Sequence, residues 1–169
     1  MWQFEINGNL SGSGGLKNYE LFQKTILEVN SYFLQRLSHK FPDGVELYID
    51  NATCDSGYTP ITTPVLKRYI IIKLCVSPDD PSSKIAFQFS HEMMHYVFYT
   101  KYGLNREISG DREESICTAA SLIYLHDTDP SGFVLQNNHV KTLEYAGYRN
   151  GASLAEQVGY DFSKLVELV

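Results

Sequence analysis

The stretch Ser90-His91-Glu92-Met93-Met94-His95 decides how the rest of the chain is read. Its two histidines stand four residues apart. That spacing stacks both imidazoles on one face of a helix, where they can share one metal ion. Glu92 follows His91 directly, so its carboxylate leans off the ligand stripe and still reaches a metal-bound water. Two neutral nitrogens, a general base and room for water are what metal-assisted hydrolysis requires. The bland alternative, a surface helix that happens to carry these residues, has to be weighed against what flanks them.

Asp80-Pro81 offers an N-cap followed by proline at the first helical position, and Gly103 can close the other end. Between them Ile85, Phe89, Met93, Tyr96 and Phe98 give apolar cover at helical spacing. The pair His91 and His95 therefore falls well inside one long helix, where side-chain geometry is fixed. A catalytic zinc site needs a third protein ligand and keeps its fourth position open. After a reversal at Gly103-Leu104-Asn105, a second helical pattern begins near Asp111 and carries Glu113-Glu114. Eighteen residues separate His95 from Glu114. Glu114 is the expected third ligand, with Glu113 as the alternative. A competing reading pairs Asp111 with Glu114 as a capping box, in which Glu114 folds back on the backbone.

The His-Glu-x-x-His motif, eighteen residues and then a Glu opening a second helix resemble the gluzincin metallopeptidases of the thermolysin and aminopeptidase type. The stretch Glu114-Ser115-Ile116-Cys117-Thr118-Ala119-Ala120-Ser121-Leu122 is also similar to the smaller ImmA/IrrE-like peptidases. Their second helix follows a Glu-Ala-Asn pattern, and Ser115-Ile116 stands here where Ala-Asn is expected. The resemblance covers about residues 81–125. It implies Zn2+ held by His91, His95 and Glu114, with Glu92 as the base. It also implies a sheet edge above the motif helix that receives an extended peptide, with the rim near residues 51–64. The ImmA/IrrE-like part implies a regulatory peptidase that cleaves one protein partner.

A length of 169 residues suits a single domain, 1–169, large enough to bury a core. Hydrophobic residues make up 43% of the chain and aromatics 13%, ordinary values for a globular protein. The net charge of −6 argues against nucleic acid or an anionic membrane as partner and leaves a peptide or protein substrate. Trp2, Glu5 and Asn7 interrupt any signal-like apolar run, and Lys73 stops the run Tyr69-Ile70-Ile71-Ile72 far short of a membrane span. Cys54, Cys75 and Cys117 are odd in number and lack Cys-x-x-Cys spacing. Free thiols in a reducing cytoplasm are the expectation.

Residues 1–6 alternate weakly, as a strand does. The Gly- and Ser-rich stretch 7–15 lacks the Lys-Ser/Thr ending of a phosphate loop and reads as a linker. An amphipathic helix is expected from Lys17 to about His39, a strand over Val45–Asp50, a turn-rich loop over 51–64 and a strand over Arg68–Val76 buried on both faces. Past the Glu helix, Asp127–Gly132 reads as a turn and His139–Gly147 as a short helix. Ser153-Leu154-Ala155-Glu156 reads as a capping box opening a last helix, with Val158, Phe162, Leu165 and Val166 inward. The sum is an α+β fold, a minimal zincin-like domain. Its small sheet packs on the motif helix, with a Glu-bearing second helix and helical C-terminal cover.

A developing oxyanion gains from a Tyr, His or Arg nearby. The candidates are His126, His139, Tyr145, Tyr148 and Arg106, of which His139 is the sequence-based choice. Asp111 is the candidate partner behind a histidine ligand. Cys117, three residues past Glu114, could instead close the metal site and make it a non-catalytic interaction module. An intact Glu92 favours catalysis.

Overall fold

The computed structural model describes residues 4–6, 19–37, 45–52, 59–77, 79–106 and 110–169. Two strands, β1 (Phe4–Ile6) and β2 (Glu46–Ala52), flank the helix α1 (Tyr19–Leu37) and run parallel to each other. Parallel neighbours require such a crossover. Phe22, Ile26, Val29, Phe33 and Leu37 recur every three or four residues along α1 and are fully buried or nearly so.

The chain then departs from expectation. Within the stretch expected to be a loop lies β3 (Ile61–Val65), which pairs antiparallel with β4 (Tyr69–Cys75). Leu66, Lys67 and Arg68 join the two strands, with φ of 53° and 56° at Leu66 and Lys67. A tight turn with positive φ at two successive positions normally advertises itself as Asn-Gly. Leu-Lys carries no such signal, so the hairpin is hidden in the sequence. β4 also lies parallel to β2, giving the order β1-β2-β4-β3 with β3 at one edge. Pro64 is tolerated there because an edge strand can spare an N–H. In β4, Ile70 and Ile72 are fully buried, whereas Ile71 on the other face is only half-buried, so the expected two-sided burial is incomplete.

The motif helix α2 (Ser82–Tyr102) is buried almost all round from Phe89 to Tyr99, clasped by α1, β3, β4 and the helices that follow. Pro81 itself is the N-cap. Asp80 binds the Ser77 N–H and Lys84 instead of capping, and Gly103 closes the helix as expected, donating to the Tyr99 carbonyl at a φ of 96°. The Glu helix α3 (Asp111–Thr128) follows. No turn spans 127–132. Asp129 alone breaks the chain and caps α4 (Pro130–Thr142) through its side chain and the Gly132 N–H. α5 (Ala146–Gln157) contains Ser153 in its interior, so the expected capping box does not form. The last helix, α6 (Phe162–Val166), is capped by Asp161, with Phe162, Leu165 and Val166 buried and Val158 half-buried ahead of it.

The fold is α+β, a four-stranded mixed sheet with six helices among the described residues. None of those helices is long and apolar enough to cross a membrane. Residues 7–15 and Cys54 lie outside the described residues, and Cys75 and Cys117 are buried.

Candidate metal centre

α2 and α3 pack side by side, and α3 carries the small, fully buried residues Ala119, Ala120 and Ser121. α5 also packs closely on α3, beside the seam. A Cβ on Gly151 would lie 2.5 Å from the Thr118 Cβ, and one on Gly147 would lie 2.9 Å from the Glu114 Cβ. Only glycine fits at either position. Ser115, which departs from the Glu-Ala-Asn pattern, reaches the carbonyls of Asp111 and Gly147 at 2.6 and 3.0 Å and ties α5 to α3. Through this close packing Tyr148 is carried over the seam, its ring edge-on to His91 at 5.7 Å between centroids.

Within the seam, His91 Nε2 lies 3.1 Å from one Glu114 carboxylate oxygen and His95 Nε2 lies 3.4 Å from the other. The opposite nitrogen of His95, Nδ1, contacts a Glu113 oxygen at 2.7 Å. Arg106 in turn forms an ion pair with Glu113, which is only 1% exposed. Nδ1 of His91 has Thr118 Oγ1 at 3.5 Å. The two neighbouring glutamates thus face opposite edges of the His95 ring. Glu114 meets the nitrogens that face each other, and Glu113 anchors the ring from behind. The capping box is absent: Gly110 caps α3 without a side-chain bond, and the Asp111 side chain is engaged by Tyr145. The place behind the histidine expected for Asp111 is held by Glu113.

Glu92 stands apart from this trio. Its carboxylate accepts a hydrogen bond from Thr62 Oγ1 at 2.7 Å, and the same hydroxyl lies 3.0 Å from the Glu92 carbonyl. Thr62 sits on β3, so the hidden edge strand is also what orients the candidate base. The β-branched run Ile61-Thr62-Thr63 was the available signal, and Pro64 masked it.

A cleft of about 80 Å3 opens over the group, lined by Pro60, Ile61, Thr62, His91, Glu92, His95, Tyr99, Glu114 and Tyr148. Of the oxyanion candidates, Tyr148 lines this inner cleft. His139 is exposed on α4 and lines a larger chamber that shares His91, Glu92 and Tyr148. Arg106 is committed to Glu113, and His126 stacks on Tyr160 at 4.3 Å.

Electrostatics follow from the geometry. Burial works to raise the Glu114 carboxyl, but hydrogen bonds and charge interactions with both histidines outweigh it and hold the group well below the usual carboxylate range. Burial opposes charge on His95, yet Cys117, Glu113 and Glu114 around it prevail and raise its pKa well above the ordinary value. Burial pushes the Cys117 thiol up to about 12. It also raises the Tyr148 phenol, with the charges of Glu114 and Glu92 adding to the effect, so Tyr148 keeps its proton through the neutral range.

The donor set fits a small divalent cation. Ligand atoms held tetrahedrally at about 2.0–2.2 Å from zinc lie roughly 3.3–3.5 Å from one another. One Glu114 oxygen is 3.1 Å from His91 Nε2 and the other 3.4 Å from His95 Nε2, so each ring meets its own oxygen at near that spacing. A bound cation would take the place of the histidine protons that otherwise balance the Glu113 and Glu114 carboxylates beside Arg106. Cys117 adds a thiol within 4.8 Å of both imidazoles.

The chain matches no protein family, no curated protein and no solved structure. The reading of the site therefore rests on its own chemistry.

Proposed function

We propose that this chain is a zinc-dependent peptidase of the gluzincin kind. The carrying observation is a division of labour among carboxylates. Glu114 bridges the facing nitrogens of His91 and His95, while Glu92 is held outside that set by Thr62, in the same cleft. His91, His95 and Glu114 would hold the metal. Zinc supplies, when bound, a positive charge that acidifies water and polarises a carbonyl.

The rest falls to the chain's own residues. Glu92 takes a proton from the attacking water and passes it to the leaving amine. Thr62, donating to one carboxylate oxygen, fixes the rotamer and leaves the other oxygen free for that transfer. Tyr148, protonated and edge-on to His91, offers an O–H to the developing oxyanion, with His139 further out in the adjoining chamber. Glu113 holds His95 through Nδ1, and Arg106 keeps Glu113 in place. β3 presents an edge unpaired among the described residues beside the cleft, a track on which an extended peptide can add as a further strand. The buried free thiol of Cys117 favours a reducing compartment, the cytoplasm.

The test is metal content by mass spectrometry, together with mass-resolved digestion of a broad peptide library. Stoichiometric zinc with cleavage supports the reading, and zinc without any cleavage removes it. One observation favours a second reading. The Cys117 thiol lies within 4.8 Å of both imidazoles and could close the site as a non-catalytic module. Cobalt substitution separates the two, since a thiolate ligand adds an intense near-ultraviolet charge-transfer band that a His, His, Glu site lacks.

A further inference from the structure

Beside the inner cleft, between the N-terminal half of α2 and α4, lies a chamber of about 490 Å3. Its size falls within the roughly 300–1,000 Å3 of typical ligand pockets. Pro60, Phe87, Leu135 and Leu143 make its walls apolar, and Tyr148 connects it to His91 and Glu92. Most of its polar groups are already committed. The Gln88 amide pairs with both the N–H and the carbonyl of Cys75, each at 2.9 Å, and Lys84 is held by Asp80 at 2.8 Å. Gln136 is different. It is 8% exposed, and among the described residues no hydrogen bond reaches its side chain. Its neighbours on α4 mark the mouth: Leu135 is 58% exposed and His139 is exposed. Gln136 therefore lies on the inner wall.

No protein group pairs with that amide, and since its polar atoms are not sealed from solvent, a ligand in the chamber can take the place of the water that reaches it. Apolar walls with one such amide select among the side chains a peptide can offer. An acidic tip loses its hydration, finds Lys84 already paired and is repelled by Glu92, while a basic tip would have to take Glu92 from the water it serves. A wholly apolar tip leaves the amide unmatched. A phenol satisfies both demands, since its ring fits the walls and its hydroxyl can donate to and accept from an amide.

We propose that this chamber binds a tyrosine side chain of the peptide substrate beside the scissile bond, with Gln136 as the residue that reads its hydroxyl. The inference rests on the peptidase reading for the word substrate, while binding of a tyrosyl group there does not depend on turnover.

The test is a nuclear magnetic resonance titration of the full zinc-loaded chain with N-acetyl-tyrosinamide and N-acetyl-phenylalaninamide. The tyrosine amide shifts the Leu135 and Leu143 methyls and the Gln136 side-chain amide, and it binds about tenfold tighter than the phenylalanine amide, one good hydrogen bond's worth. Gln136→Leu abolishes that ratio, and Gln136→Met repeats the result should the leucine variant fold poorly. Equal affinity for the two amides in wild type overturns the proposal, as does a ratio that survives in both variants. Peptide cleavage with no preference for tyrosine also overturns it while leaving the peptidase intact. Selective tyrosinamide binding by a protein that cleaves no peptide supports the chamber and removes the peptidase.

Discussion

The two sides of the cleft are built differently. On the seam between α2 and α3, His91, His95, Glu113, Glu114 and Thr118 each have a side-chain partner on the facing helix, and all are buried or nearly so. On the lips formed by β3 and α4, Ile61 is 43% exposed, Leu135 more so, and the Gln136 amide is unmatched. A polar network whose side chains pair across two packed helices is held in place and suits a permanent occupant such as a metal. Exposed apolar residues with a spare amide suit an occupant that comes and goes. The seam would hold the cofactor, and the lips would meet the substrate.

That contrast can be broken most decisively at the seam. His91→Ala or His95→Ala should remove zinc from the purified protein, measured by mass spectrometry, whereas Leu135→Ala on the lip should retain it in full. Retention in both histidine variants would put the metal elsewhere. Next in size is the packing that keeps the seam rigid. Phe89 is fully buried on α2, and Phe89→Ala should cost about 3–5 kcal/mol in denaturant unfolding. A cost below about 1 kcal/mol would mean the seam can collapse around the gap and is less rigid than argued.

A finer cut separates the two glutamates. Glu114→Ala should weaken zinc binding far more than Glu113→Ala. Glu113→Gln or Arg106→Met should weaken it by about 10–100-fold, as loss of an outer partner does. Isothermal titration on variants of matched thermal stability reads this, and the reverse order would exchange the ligand and its support. The smallest effect belongs to the lip, where Leu135→Ala should change folding stability by no more than about 0.5 kcal/mol while weakening tyrosinamide binding. A large stability loss there would mark the lip as core and not as a binding surface.

The legibility of these two regions in the sequence differed for the same physical reason. The seam lies on helices, where spacing alone says which side chains share a face. His91 and His95 could therefore be brought together from their interval, and Glu114 joined them through the likeness of its spacing to the gluzincin motif. Whether Glu114 or Glu113 faced the histidines depended on one residue of helical phase, which only the packed pair of helices fixes. The lips depend on contacts between distant segments. β3 was hidden because its hairpin turns on Leu66-Lys67 and its run carries Pro64, and with it Thr62 escaped notice as the partner of Glu92. The break at Asp129 is a single residue, so α3 and α4 looked like a helix and a turn. Gly147 and Gly151 were invisible as packing devices until α5 was seen lying on α3.

The central claim is that Glu92 is a base beside the metal and not a ligand to it. Glu92→Gln tests it most directly, because glutamine keeps the shape and the bond from Thr62 but cannot accept a proton. The variant should retain close to one zinc per chain by mass spectrometry and lose roughly 10²–10⁴-fold in cleavage rate of any peptide the wild type hydrolyses. Zinc lost with the substitution, or zinc retained with an unchanged rate, would contradict the account.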